Sequence, residues 1–108
     1  MKLPATTVIA RRKVHEYLLL HRLEDDKSAF LALAGYTLEK ADHLMSDLRT
    51  QLLPLEAEWF EDTEYGSKYR IRGTLTGPNG RTLRVLSIWM KEEATGETKF
   101  VTLFPDKV

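Results

Sequence analysis

Apolar and polar side chains alternate most regularly between Tyr65 and Trp89, and the alternation predicts two strands, over 68–76 and 82–91. The segment between them, Gly77-Pro78-Asn79-Gly80, has the chemistry of a tight reversal. Pro78 presets φ at the second position of a type I turn, and Gly80 supplies the left-handed residue of a three-residue hairpin loop with a bulge. Setting Thr76 opposite Thr82 brings Leu75 to Leu83, Gly73 to Val85, Ile71 to Ser87 and Tyr69 to Trp89. One face then collects Tyr69, Ile71, Leu75, Leu83, Val85 and Trp89, closed by an aromatic cross-strand pair. The other collects Lys68, Arg70, Arg72, Thr74, Thr76, Thr82 and Arg84. A slip of one residue would mix the two sets, so the pattern itself selects the register.

Helical spacing dominates the first half of the chain. A short helix is predicted over 11–20, with Val14, Tyr17, Leu18 and either Leu20 or His21 inward. After a polar loop over 21–26, Asp26 is placed to cap a second helix over 27–33, with Phe30, Leu31 and Ala34 inward and Gly35 ending it. Thr37 opens a third helix whose stripe is Leu38, Ala41, Met45, Leu48 and Leu52, and Pro54 stops it. Residues 56–60 suit an edge strand, and 7–9 could lie extended beside the sheet. Beyond the turn at 92–97, a last strand over 98–104 set with Lys91 facing Thr98 would pair Trp89 with Phe100, Ser87 with Thr102 and Val85 with Phe104. The opposite face would then gain Ile88 with Val101 and Leu86 with Leu103, an apolar end to be covered by a helix, the N-terminal arm or a second protein. The expected architecture is α+β in two layers, with two or three N-terminal helices followed by an antiparallel sheet of about four strands.

At 108 residues the chain fits a single domain spanning 1–108. Its formal net charge of zero means that a nucleic-acid-binding surface would require segregated charge. The hairpin supplies such segregation, while carboxylates cluster at 24–26, 56–64 and 92–93. No apolar run approaches the ~18 residues of a membrane span. The opening MKLPATTVIARRK has no apolar signal core, which points to a cytoplasmic protein. With no cysteines there are no disulfides or thiolate metal sites, and three scattered histidines give no metal-ligand spacing. No cofactor is expected; Gly77 and Gly80 belong to a turn between strands and not to a phosphate-binding loop.

Two sets of residues could carry chemistry. Lys68, Arg70, Arg72 and Arg84, with Arg81 at the turn, could grip a phosphate backbone, or could be a solvated face paired with the carboxylates of 56–64. His21 and Lys27 flank the loop before the second helix, where His21 could move a proton and Lys27 hold an anion near the helix start. His15 and His43 fall on helix surfaces, and Ser87 with Thr102 is most simply a hydrogen-bonded cross-strand pair.

The run from Tyr65 to Pro105 resembles a little-characterised bacterial domain with the pattern Tyr-Gly-x-Lys/Arg-Tyr, Gly-x-Leu-x-Gly-Pro-x-Gly-Arg, Trp, and a closing Val-Thr-x-Tyr/Phe-Pro. The matching positions are Tyr65, Gly66, Lys68, Tyr69, Gly73, Leu75, Gly77, Pro78, Gly80, Arg81, Trp89, Val101, Thr102, Phe104 and Pro105. Upstream, Lys2, Leu3, Pro4, Lys27, Phe30, Gly35 and Tyr36 extend the likeness over nearly the whole chain. That family occurs as short free-standing proteins, many cyanobacterial and often beside a small partner gene, and at the C-termini of polymorphic toxins. Its order of elements is similar to the barnase–EndoU–colicin–RelE class of ribonuclease toxins. The resemblance implies a toxin of a toxin–antitoxin pair, a metal-independent endoribonuclease with RNA as substrate and a small acidic antitoxin-like protein as partner. On that reading catalysis falls to His21, Lys27, Arg70 and Arg81, and RNA guidance to Lys68, Arg72 and Arg84. The family's His–Lys pair before the second helix is represented by Lys27 alone, because Asp26 stands at the histidine position and His21 sits earlier. The alternative is a non-catalytic protein-binding module, or an inactive relative acting through a small partner.

Overall fold

The computed structural model describes residues 1–20 and 27–107. Four antiparallel strands form one sheet in chain order: β1 (Glu58–Thr63), β2 (Gly66–Thr76), β3 (Thr82–Glu92) and β4 (Thr98–Pro105). Helical segments precede them, at Lys13–Leu19, at Ser28–Ala32, and in a run composed of Leu38–Lys40, Ala41–Asp47 and Leu48–Leu52. The protein is therefore α+β, with the helices packed on one face of the sheet. Ile71, Leu75, Leu83, Val85, Trp89, Phe100 and Leu103 from that face share one core with Val14, Leu18, Leu31, Leu44, Leu48 and Leu52.

The β2–β3 register is the one the alternation dictates, from Thr76 opposite Thr82 through Leu75–Leu83, Gly73–Val85 and Ile71–Ser87 to Tyr69–Trp89. The Gly80 N–H donates to the Gly77 carbonyl at 3.0 Å and Gly80 takes φ +87°, as the turn chemistry requires. The hairpin tip also finishes the second helix. Asn79 donates its side-chain amide to the Leu33 carbonyl at 3.0 Å and its backbone N–H to Ala34 at 3.2 Å, satisfying carbonyls that the helix end leaves open. Gly77 lies so close that an added Cβ would sit 2.1 Å from the Ala34 oxygen.

The β3–β4 register departs from expectation halfway along. Lys91–Thr98 and Trp89–Phe100 pair as the pattern implies, but Ile88 then faces Thr102, Ser87 faces Leu103, Leu86 faces Phe104 and Val85 faces Pro105. A bulge at Val101 takes up the extra residue. It turns Leu103 into the core, fully buried, and Phe104 out to the other face. Ser87 and Thr102 are consequently not partners. The Ser87 hydroxyl donates to the Ile71 carbonyl at 2.9 Å and accepts from the Trp89 indole N–H at 2.8 Å.

Helix boundaries and stripes are corrected by turn geometry. The first helix has wide turns, with the Leu20 N–H bonded to the His15 carbonyl five residues back. This widening buries Val14, Leu18 and Leu19, while Leu20 is exposed and Tyr17 half-buried. The third helical run opens in a tighter 3-10 turn, which rotates Leu38 outward and leaves Met45 half-buried; Ala41, Leu44, Leu48 and Leu52 form the buried stripe. Asp26 and His21 lie outside the described residues. The N-terminal arm contributes a single parallel bridge, Val8 to Lys99, and β1 starts at Glu58 with a bulge at Phe60.

Where β2 runs on past β1, the third helical run secures its edge. The Gln51 amide brackets Thr76, donating to its carbonyl at 3.1 Å and accepting its N–H at 2.8 Å. Tyr36, 1% exposed, donates its hydroxyl to Asp47 Oδ2 at 2.6 Å, with the Thr76 carbonyl 3.3 Å away. Burial first, and then the Asp47 carboxylate, hold the Tyr36 phenol above its ordinary value of 10.0. The native state thus keeps a proton that the unfolded chain releases, so this contribution to stability is complete below pH 10.0 and is lost as pH rises further. Unfolding free energy is expected to fall above that point by about 1.4 kcal/mol per pH unit on account of Tyr36. Denaturant titrations of wild type and Tyr36→Phe at about pH 8 and about pH 10.5 check this, the gap between the two proteins narrowing or reversing at the higher pH.

Candidate functional site

The face of the sheet turned away from the helices is ordered in rows across β2, β3 and β4. Lys68, Met90 and Lys99 form the first row, Arg70, Ile88 and Thr102 the second, Arg72, Leu86 and Phe104 the third, and Thr74 with Arg84 the fourth. Period-two geometry puts Lys68, Arg70, Arg72 and Arg84 on the same side, as the alternation implied. The centre of the face is apolar and half-buried at Leu86, Ile88 and Met90, while Phe104 remains 41% exposed.

Most cations on this face already have carboxylates. Arg70 Nε lies 2.5 Å from Glu58, Arg72 Nη1 2.9 Å from Asp106, and Lys68 Nζ 3.5 Å from Glu61. The Arg70 guanidinium also sits 5.3 Å from the centroid of the Phe60 ring. These pairs are the solvated arrangement weighed against phosphate gripping, and each offers little net stability at such exposure. Arg81 and Arg84 have no ion pair among the described residues. Arg84 shares a cleft of about 400 Å³ with Arg72, Gly73, Thr74 and Asp106. Arg81 lies at the hairpin tip beyond the last ladder pair, and no contact among the described residues brings it to Lys27.

Lys27 is the exception. It is only 7% exposed, and its ammonium lies 5.0 Å from the Tyr17 ring centroid and 4.8 Å from that of Phe104. Its hydrogen bond to the Tyr17 hydroxyl is long, 3.5 Å, and it has no carboxylate partner among the described residues. A buried ammonium carries three donors, and among the described residues this one meets two ring faces and a single hydroxyl acceptor. The second helix has five residues, too short to add anion affinity at its start; whatever Lys27 attracts, it attracts with its own charge. Thr102, in the row beside Phe104, has a buried hydroxyl with no partner among the described residues. Leaving such a group unsatisfied costs about 1–3 kcal/mol.

The structure therefore brings Lys27, Arg72 and Phe104 to one end of the open face, with Arg84 one row on, and leaves Arg81 apart. Sequence reasoning missed Tyr17 and Phe104 as the seat of Lys27, because Phe104 reaches this face only through the Val101 bulge. Among the described residues no three His, Cys, Asp or Glu side chains gather as a metal site, and no helix is long and apolar enough to cross a membrane.

Fold and face define an α+β domain whose sheet is buried under helices on one side and left open, apolar at the centre and cationic at the margin, on the other. The chain belongs to a family described as Domain of unknown function (DUF6883), whose model matches residues 2–107. No curated protein and no solved structure matches it.

Proposed function

We propose that this domain binds RNA across its open sheet face and cleaves it as a metal-independent endoribonuclease, the toxin of a pair whose second member is a small acidic protein. The carrying observation is Lys27, a buried ammonium with no carboxylate partner among the described residues, set over Phe104 in the row of Arg72. Retaining such a charge in an aromatic box disfavours folding unless a ligand repays it. A phosphate would supply the missing acceptors. In the proposed reaction the ribose 2′-oxygen attacks phosphorus while a base, His21, takes its proton. Lys27, with Arg70 and Arg72 once released from Glu58 and Asp106, holds the phosphoryl oxygens as charge builds. The bond to the 5′-oxygen then breaks, protonated His21 gives its proton to that oxygen, and a 2′,3′-cyclic phosphate remains. Lys68, Arg81 and Arg84 guide the strand.

The ion pairs of Lys68, Arg70 and Arg72 favour a second reading, a non-catalytic module that offers this face to a partner protein. Incubating the folded protein with total RNA in EDTA separates the two. Fragments ending in 2′,3′-cyclic phosphate are expected; RNA left intact at micromolar protein would remove the nuclease reading and leave the binding module. Growth arrest on expression, relieved by an acidic neighbour gene product, is the corresponding result in cells.

A further inference from the structure

At the opposite end of the open face from Lys27, a groove of about 500 Å³ is formed where β3, β4, the β1–β2 turn and the N-terminal arm meet. Its lining includes Tyr65, Met90, Val101, Val8, Glu92 and Lys99. Tyr65 is 67% exposed, unusually so for an aromatic side chain with no ring partner among the described residues. Met90 and the bulged Val101 give an apolar floor of the size and character that small planar ligands occupy. Neither the ribonuclease chemistry nor the core uses these side chains.

The polar groups of the groove are specific in kind. Glu92 Oε2 accepts from the Lys99 ammonium, and Glu92 Oε1 accepts from the Thr95 hydroxyl at 3.0 Å. Those hydrogen bonds and the Lys99 charge keep the Glu92 carboxyl below its usual range, so near neutral pH it is an acceptor only. Two carboxylate oxygens have about four lone-pair positions, and about two remain open. The groove therefore presents a pair of acceptors with the cationic donor Lys99 beside them, and a second ammonium, Lys13, on its lining. Among the four bases of RNA, guanine alone has two adjacent donors, N1–H and the N2 amine, next to an acceptor, O6. Adenine and cytosine would set a ring-nitrogen acceptor against the carboxylate, and uracil offers one donor between two acceptors.

We propose that this groove is a guanine seat, with Glu92 accepting from N1 and N2, Lys99 donating to O6, and Tyr65 providing the stacking surface. The inference rests on the RNA-binding reading and adds base selection to it. Along β3, Met90 and Leu86 are four residues apart, so the seat lies about 13 Å from the row of Phe104 and Lys27. Guanine is therefore read at a fixed offset from the cut and not at the cut itself.

Two measurements on the intact protein test this. NMR titration with guanosine, adenosine, cytidine and uridine monophosphates should show guanosine monophosphate binding at least about tenfold tighter, with the Met90 methyl and Tyr65 ring signals moving. Glu92→Gln should abolish the preference, and Tyr65→Ala should weaken binding by about tenfold, each with an unchanged melting temperature. Cleavage of oligonucleotides carrying one guanosine at varied positions should track that guanosine at constant offset, and Glu92→Gln should cut without preference. Equal affinity for the four nucleotides, or a guanine preference untouched by Glu92→Gln, would overturn the seat. Guanine preference without any cleavage would instead uphold the seat and sink the nuclease reading, so the two failures are distinguishable.

Discussion

Trp89→Ala is expected to cost about 3–5 kcal/mol, the largest loss of stability from any single core substitution in this domain. The indole is fully buried and meets Phe100 edge-on, centroids 5.1 Å apart and ring planes at 75°. Removing it empties the centre of the face on which the helices rest. It also breaks a chain of hydrogen bonds, since the indole N–H is the donor to Ser87 Oγ, which in turn donates to the Ile71 carbonyl across the strand pair. For a domain whose total stability falls in the range of about 5–15 kcal/mol, such a loss approaches unfolding. Urea titration should show a midpoint collapse for Trp89→Ala. Trp89→Phe, which retains most of the volume but not the N–H, should lose about 1–3 kcal/mol. An alanine variant costing less than about 1 kcal/mol would mean that this aromatic pair does not organise the core.

The same tryptophan explains why half of the sheet was legible in the sequence. Between Tyr69 and Trp89 the alternation is nearly pure, and Pro78 with Gly80 defines the loop, so local turn chemistry and the two-residue period agree on one register. Between Phe100 and Phe104 they do not. Phe100, Val101, Leu103 and Phe104 are apolar on both parities, so either alignment buries comparable surface, and no glycine marks the bulge. The choice is made by tertiary packing, with Leu103 filling the core and Phe104 released to the open face. The candidate site inherits this division. That Lys68, Arg70, Arg72 and Arg84 share a side follows from the period alone; that Lys27 meets Phe104 depends on the bulge and on a loop closure across most of the chain, which no local pattern encodes. The carboxylates that pair with the arginines were partly legible. Glu58 and Glu61 come from the adjacent edge strand, whereas Asp106 arrives from beyond β4.

Lys27→Met should lower RNA cleavage by about 10²–10³-fold while leaving the fold intact, the scale of loss expected when one preorganised donor to a developing charge is removed. Methionine has a similar length and reach, so it can fill the space between Tyr17 and Phe104 without a cation. Removing a buried charge that has no carboxylate partner among the described residues relieves desolvation, so stability should be unchanged or higher. A residue kept for packing alone would behave in the opposite way, losing stability and leaving cleavage untouched. Lys27→Arg adds a third case, because guanidinium restores the charge but changes the geometry of its donors; partial activity with weakened substrate affinity is expected. The divergence between stability and activity is the diagnostic result, since a charge held at a folding cost and needed for turnover has been retained for its ligand. Full cleavage by Lys27→Met would take away the physical basis for placing the scissile phosphate against Phe104 and would put the reaction elsewhere on the domain.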